Sequence, residues 1–557
     1  MSCTVPVGRG QLGFGVRRGE LGLGRETALV SLVFVAIAAA VFGSYVSKGG
    51  FYSDDWANVA VVQQHGLLGA IPAQVDGIPQ RPLLAVLQLL PHAVFGSDPQ
   101  PHLVLAIVLA ILVSICFFYL LRLLNISFLG AATVAGLVLL FPWSDSSRLW
   151  PEGSINQVAV ILYLLGAITA FWGLRANGRR AALIHLGACV LFVASVLTYE
   201  ATGPVALATG ALYLAFASRR RALAAWGTDL LAVGAALIFS AATASKHVGS
   251  GQSLFGWLGK MARGAIVLTA HAVFPIVGGH TWVVLAVLAF VAVAAGLALL
   301  GKDRLLSAEL KRPLLILAVA AVAIGLSYLM FVPAVYWTPQ KPGLENRVNL
   351  VAALPIALFA YTFVQLAVLL LIPPARRQPR LRTALVGLIA VALAVDYGAR
   401  LHTDEHVWVQ TYRAERAELT ALRAALPSPR PGTTIFTFGV PAQVAPRMPV
   451  FYDTWDLDAA AEAMYRDVSI NAYPVFVGSR FVCAPTGVTP GLLTPSSFGV
   501  LDPRVNGQQL PLPYGRVVFV DIVTRVVKRI SSPRDCTLAA SHFRPGPIQS
   551  SRLLGLI

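Results

Sequence analysis

Long apolar runs separated by short basic turns dominate the pattern of this chain. The first extends from about Thr27 to Val46, behind Arg17, Arg18 and Arg25. Others fall near residues 101–121, 126–142, 155–174, 182–198, 202–218, 223–243, 280–300, 313–333, 349–372 and 383–399. Each is close to the roughly 20 apolar residues with which a helix crosses a bilayer, so the pattern predicts an α-helical polytopic membrane protein with about eleven transmembrane helices. The small residues of "AAAVFGS" at the end of the first run would also suit signal-peptide cleavage. The length of that run and the spans behind it predict a retained helix instead.

Basic residues sort the loops. The N-terminus, Arg122, Arg175/Arg179/Arg180, Arg219/Arg220/Arg221, Lys302/Arg304/Lys311/Arg312 and Arg376/Arg377/Arg380/Arg382 fall on one side. The positive-inside rule makes that side the cytoplasm of a multi-pass plasma-membrane protein. The opposite, extracytoplasmic side receives residues 48–100, 143–154, the turn at Tyr199–Glu200, residues 244–279 and 334–348, and everything after about residue 400. Within these loops, "PLLAVLQLLPHAVF" (82–95) is short and contains Pro91, which predicts a helix lying at the interface. Residues 253–276 read as a second interfacial or re-entrant helix; counting either as a span would turn the later arginine clusters outward.

Three regions follow: a basic cytoplasmic tail (1–26), a membrane domain (27–399) and an extracytoplasmic C-terminal domain (400–557). The last opens with the polar helical run "DEHVWVQTYRAERAELTALRAAL" and the linker "PSPRPG". Strand-like runs "TTIFTFGV" and "GRVVFVDIVTRVV" then predict a small α/β domain. Its Cys483 and Cys536 suit a disulfide in an oxidising compartment, with two separate buried thiols as the alternative.

Composition narrows the class. Hydrophobic residues make up 56% and charged residues 12%, with a mean hydropathy of +0.70, which excludes an ordinary soluble protein. The net charge of +17 resides in the loop clusters, and without a basic stripe interleaved with aromatics it gives no reason to expect nucleic acid.

The unusual carboxylates gather on the predicted outer side. Asp54 and Asp55 follow the first span in "SDDW"; "PWSDSSRLWPEGSINQ" (142–157) carries Asp145 and Glu152, and "TYE" places Glu200 at a turn. Acids at a membrane edge are costly to desolvate, so they face water, a cavity or a partner charge. Solvated loop residues are the plain alternative for each. Adjacent Asp54 and Asp55 also favour shared protonation or a bound cation.

The acidic pair after the first span, followed in the same loop by "QRPLL" (80–84) and an interfacial helix, resembles the first outer loop of the GT-C glycosyltransferases. That group includes protein O-mannosyltransferases, aminoarabinose transferases and actinobacterial arabinofuranosyltransferases. The resemblance implies transfer of a sugar from a polyprenyl-phosphate donor to an extracytoplasmic glycan, lipid or protein of the cell envelope. It implies a general base at Asp54 or Asp55, with Asp54 preferred, and inversion at the anomeric carbon. A divalent cation, Mg²⁺ or Mn²⁺, would be held by Asp55, Asp145 or Glu152. Lys341 and Arg347 in "YWTPQKPGLENRVNL", with Arg81, are candidates for the donor phosphate; snorkelling at the interface is the alternative for Arg347. Glu200, His65 and Glu345 complete the candidate site, and Lys246, Lys260 and Arg263 are weaker phosphate or acceptor candidates.

Other chemistries find little support. No His/Cys cluster has the familiar zinc-ligand spacing, and no P-loop or GxSxG elbow appears. His185 and Asp229 read as interfacial, near the cytoplasmic ends of their helices, and His271 falls in the ambiguous 253–276 segment. The rival reading is a transporter or flippase of a glycolipid or other envelope precursor. It would place charges near the midplane and show matched halves.

Overall fold

The computed structural model describes residues 20–244, 254–275, 281–300, 304–332, 339, 343–372, 378–451, 454–479, 481–490 and 511–549. The first half contributes α1 (Glu20–Val46), α2 (Asp54–Gly77), α3 (Pro82–Phe95), α4 (Pro99–Leu123), α5 (Phe128–Leu139), α6 (Ser146–Leu149), α7 (Pro151–Arg175), α8 (Gly178–Thr198), α9 (Gly203–Tyr213) and α10 (Arg219–Thr243). Next come α11 (Leu254–Val273), α12 (Thr281–Leu300), α13 (Arg304–Leu329), α14 (Leu350–Leu371) and α15 (Pro379–Ala425). Among the described residues nine helices are long and apolar enough to cross a membrane: α1, α4, α7, α8, α10 and α12 to α15. The protein is a polytopic helical membrane protein.

Two predicted spans are shorter than their apolar runs. The run at 126–142 yields the 12 residues of α5, and that at 202–218 the 11 residues of α9. At 1.5 Å per residue each covers a little over half of a roughly 30 Å hydrocarbon core. Hydropathy counts apolar residues whether or not they are helical. Pro142 opens a three-residue 3₁₀ turn past α5, and beyond α9 the N–H groups of Phe216 and Ala217 turn back to the carbonyl of Tyr213. The segments at 82–95 and 253–276 form α3 and α11, neither of which is among the nine.

The helix does not break near residue 400. Span and polar run form one helix, α15, of 47 residues, about 70 Å long. Its Tyr397, Leu401 and Trp408 pack into the membrane core, while Ala414, Leu419 and Leu422 pack into the C-terminal core.

Beyond α15 lie β1 (Thr434–Phe438), β2 (Gln443–Ala445), β3 (Met448–Pro449), α16 (Thr454–Tyr465), β4 (Asn471–Val475), β5 (Phe481–Ala484), β6 (Gly487–Pro490), β7 (Val517–Asp521), β8 (Val527–Ile530) and α17 (Pro533–His542). The main sheet has the order β4-β1-β7-β8; β1 pairs in parallel with β4 and β7, and β8 runs antiparallel to β7. Alternation assigns the two faces. Ile435, Ala472, Val518 and Val520 meet α15 and α16, whereas Phe436, Phe438, Val475 and Phe519 meet α17. Cys483 of β5 is disulfide-bonded to Cys536 of α17. The hairpin of β2 and β3 returns to the membrane part at Gly343, where φ is 125° and a Cβ would lie 2.7 Å from the Arg447 carbonyl oxygen. Only glycine permits that approach.

The disulfide spans 53 residues of sequence. Replacing both cysteines (Cys483→Ser with Cys536→Ser) is expected to cost the C-terminal unit about 4 kcal/mol. Limited proteolysis and the near-ultraviolet circular dichroism of the full chain during heating would register the loss. An unchanged transition would show that the bond contributes nothing.

Candidate active site

The chain leaves α1 and reverses through Phe51, Tyr52 and Ser53, all buried. Ser53 has φ 46° and ψ −113°, a conformation that costs an L-residue on the order of 1–3 kcal/mol. It immediately precedes α2, and the adjacent carboxylates that follow have different surroundings. Asp55 is inaccessible, whereas the Asp54 side chain keeps 31% exposure.

Asp55 is a structural acceptor. Its Oδ2 accepts from the Tyr52 N–H at 2.9 Å and its Oδ1 from the Glu152 N–H at 2.8 Å, in the first turn of α7. Burial nevertheless pushes its pKa well above the usual carboxyl range, against both bonds. Glu152 accepts from Asn58 of α2 at 2.7 Å and from Gln88 of α3 at 2.6 Å. Asp145 accepts from Asn346 and, at 2.8 Å, from Trp408 of α15. Burial raises its pKa as well, opposed by those donors.

All six oxygens of Asp55, Asp145 and Glu152 therefore face N–H donors. A cation repels such donors, and no carboxylate trio from this set brings its oxygens within 4.8 Å of one another among the described residues. These three do not fit the Mg²⁺ or Mn²⁺ site expected of them. Their work is to tie α2, α3, α7, α15 and the Asn346 loop together.

Asp54, by contrast, stays part-exposed. Its Oδ1 accepts from Trp455 Nε1 of α16 at 2.9 Å, and its Oδ2 lies 4.0 Å from Arg347 Nη1. The Arg347 guanidinium stacks 5.0 Å from the Trp150 ring centroid, at the entrance to α7. This brings together a part-exposed carboxylate, a part-exposed cation and two indoles. Arg81 is committed otherwise: it grips Glu200 with two bonds of 2.6 and 2.5 Å and covers the Tyr199 ring at 5.0 Å. Burial works to raise the Glu200 pKa, but the Arg81 charge prevails and holds it low. Burial also lifts the Tyr199 hydroxyl to about 12.

The remaining candidates divide. Glu345 is half-buried beside Asn346, and His65 is exposed on α2, next to the bend where Gly66 has φ 64°. Lys260 and Arg263 lie exposed on α11. Lys341 and Lys246 lie outside the described residues. Sequence reading missed Trp455, Trp408, Asn58, Gln88 and Asn346. Asn58 had a weak signal, being one turn beyond Asp54 and Asp55 on α2; Trp455 had none.

A second polar cluster lies apart from these residues. Asp229, read as interfacial, is wholly buried, and it meets both His185 and Cys189. His185 and Cys189 lie four residues apart on α8, and Asp229 comes from α10.

Neither a protein-family model nor a curated protein sequence matches this chain.

Removing the Asp55 charge tests its structural role. A raised pKa in the folded state gives a contribution to stability that is present below the ordinary carboxyl range and lost as pH rises through the raised value. Asp55→Asn is expected to abolish that slope. It also sets an NH₂ group against a backbone N–H, lowering stability by about 1–3 kcal/mol. Unfolding midpoints of parent and variant across pH would show both effects.

Proposed function

We propose that this protein is a membrane glycosyltransferase of the GT-C kind, transferring a sugar from a polyprenyl-phosphate donor to an extracytoplasmic envelope glycan, lipid or protein. The observation that carries the reading is the pairing of Asp54 with Arg347 at the helix mouths. The carboxylate retains access to solvent while its neighbour Asp55 is sealed. The positive-inside reading of the loop charges supports an outer position for this end. The Cys483–Cys536 bond, in a unit that reaches the site through Trp455, agrees with an oxidising compartment.

The chemistry requires few groups. The acceptor oxygen attacks the anomeric carbon and forms the new glycosidic bond. The bond from that carbon to the phosphate oxygen breaks, and its electron pair leaves with the lipid phosphate. The acceptor proton passes to the Asp54 carboxylate, a general-base contribution typically worth 10²–10⁴-fold. One displacement inverts the anomeric centre. Arg347, with its planar fork supported on Trp150, pairs with the phosphate as negative charge develops there. No metal step is invoked, because the buried acids do not fit one.

Parent, Asp54→Asn and Arg347→Gln should be incubated with a panel of radiolabelled polyprenyl-phosphate sugars and a mixed envelope-glycan acceptor. Asp54→Asn is expected to lose 10²–10⁴ of the transfer rate while retaining donor binding. Arg347→Gln is expected to raise the donor KM. Full transfer by Asp54→Asn would remove it as the base. Donor binding without transfer by the parent would favour movement of a lipid-linked cargo across the membrane.

A further inference from the structure

The second polar cluster lies far along the chain from Asp54, inside the helical bundle. His185 and Cys189 lie one turn apart on α8, and Asp229 faces them from α10. His185 Nε2 is 3.2 Å from Asp229 Oδ1, and Cys189 Sγ is 3.4 Å from the same oxygen. One ligand atom from each residue lies within 4.8 Å of the other two. Around a tetrahedral zinc with bonds of about 2.0–2.3 Å, neighbouring ligand atoms sit about 3.3–3.6 Å apart. The two closest separations here are of that size.

The surroundings resemble a supported site. The Tyr213 hydroxyl of α9 donates to Asp229 Oδ2 at 2.7 Å, fixing the carboxylate from behind. His185 Nε2 also lies at hydrogen-bond distance, 3.0 Å, from the Ala225 carbonyl oxygen, a bond that metal loading would replace. Tyr213 packs edge-on to Phe171. His185 lies seven residue steps, about 10 Å, along α8 from Gly178. Asp229 has no exposure there, and an acid inside a span signals a function.

Two states compete for this arrangement. In the first, imidazolium pairs with carboxylate and the thiol stays protonated. In the second, neutral imidazole, thiolate and carboxylate carry two negative charges, which a divalent ion cancels. Thiolate with imidazole selects zinc over magnesium or calcium, and the carboxylate disfavours monovalent copper.

We propose that His185, Cys189 and Asp229 bind a zinc-class divalent metal that cross-links α8 to α10, with Tyr213 of α9 as its outer support. Loading expels the thiol proton and the Nε2 proton to solvent. The proposal is independent of the reaction assigned at Asp54.

The test uses the full chain, purified in detergent by a tag without histidines. Metal content would be measured by mass spectrometry, and cobalt would be substituted as a spectroscopic probe. One zinc per chain is expected, and cobalt loading should give a thiolate-to-cobalt charge-transfer band with tetrahedral visible bands. Cys189→Ser should abolish the charge-transfer band, and His185→Gln should weaken cobalt binding at least tenfold. Cys3→Ser and Cys116→Ser should leave the spectrum unchanged. A parent that retains no zinc and gives no band with cobalt overturns the proposal, whether or not the variants fold. So does a band that survives Cys189→Ser.

Discussion

A carboxylate taken out of water must find donors or give up its charge, and the bundle end that carries Asp54 is organised by this requirement. Asp55, Glu152 and Asp145 satisfy it with backbone amides, carboxamides and an indole drawn from segments far apart in sequence. A partner lost from such a network leaves a buried acceptor unmatched, at a cost on the order of 1–3 kcal/mol. The network therefore fixes where α2 begins relative to α7. That position, with the unusual turn at Ser53, leaves the Asp54 carboxylate facing outward beside Arg347.

The C-terminal unit completes this end of the protein. Trp455 reaches Asp54; Glu415 of α15 receives the Trp56 indole at 3.0 Å, and Glu462 of α16 receives Gln64 at 3.0 Å. The helix α2 thus sits between two cores, with Asn58 turned to Glu152 and Trp56 turned to Glu415. The surroundings of Asp54 are thus built from both parts.

Much of the helical plan was legible in the sequence because hydropathy is a local property. All eleven apolar runs are helical over at least part of their length, but Pro142 and the turn after Tyr213 shorten two of them. The acids at the helix mouths were legible from their position alone. Their division of labour was not, since Asp55 is claimed by an amide 97 residues away and Asp145 by an indole 263 residues away. Cation ligation was a fair expectation from carboxylates alone; the N–H donors that occupy them are visible only in three dimensions. At the second cluster the spacing of His185 and Cys189 could be read directly, while Asp229 joins them through helix packing.

The uninterrupted course of α15 has a mechanical consequence. A loop between membrane and C-terminal unit would absorb relative motion, but a continuous helix conveys it. A rod of about 70 Å converts a few degrees of tilt at one end into several ångströms of sideways travel at the other. Trp408, part-way along this rod, is bonded to Asp145, which makes that point a fulcrum. Any force that leans the N-terminal end of α15, including a change in bilayer thickness, is delivered as leverage to the sheet and to the α16 helix that carries Trp455.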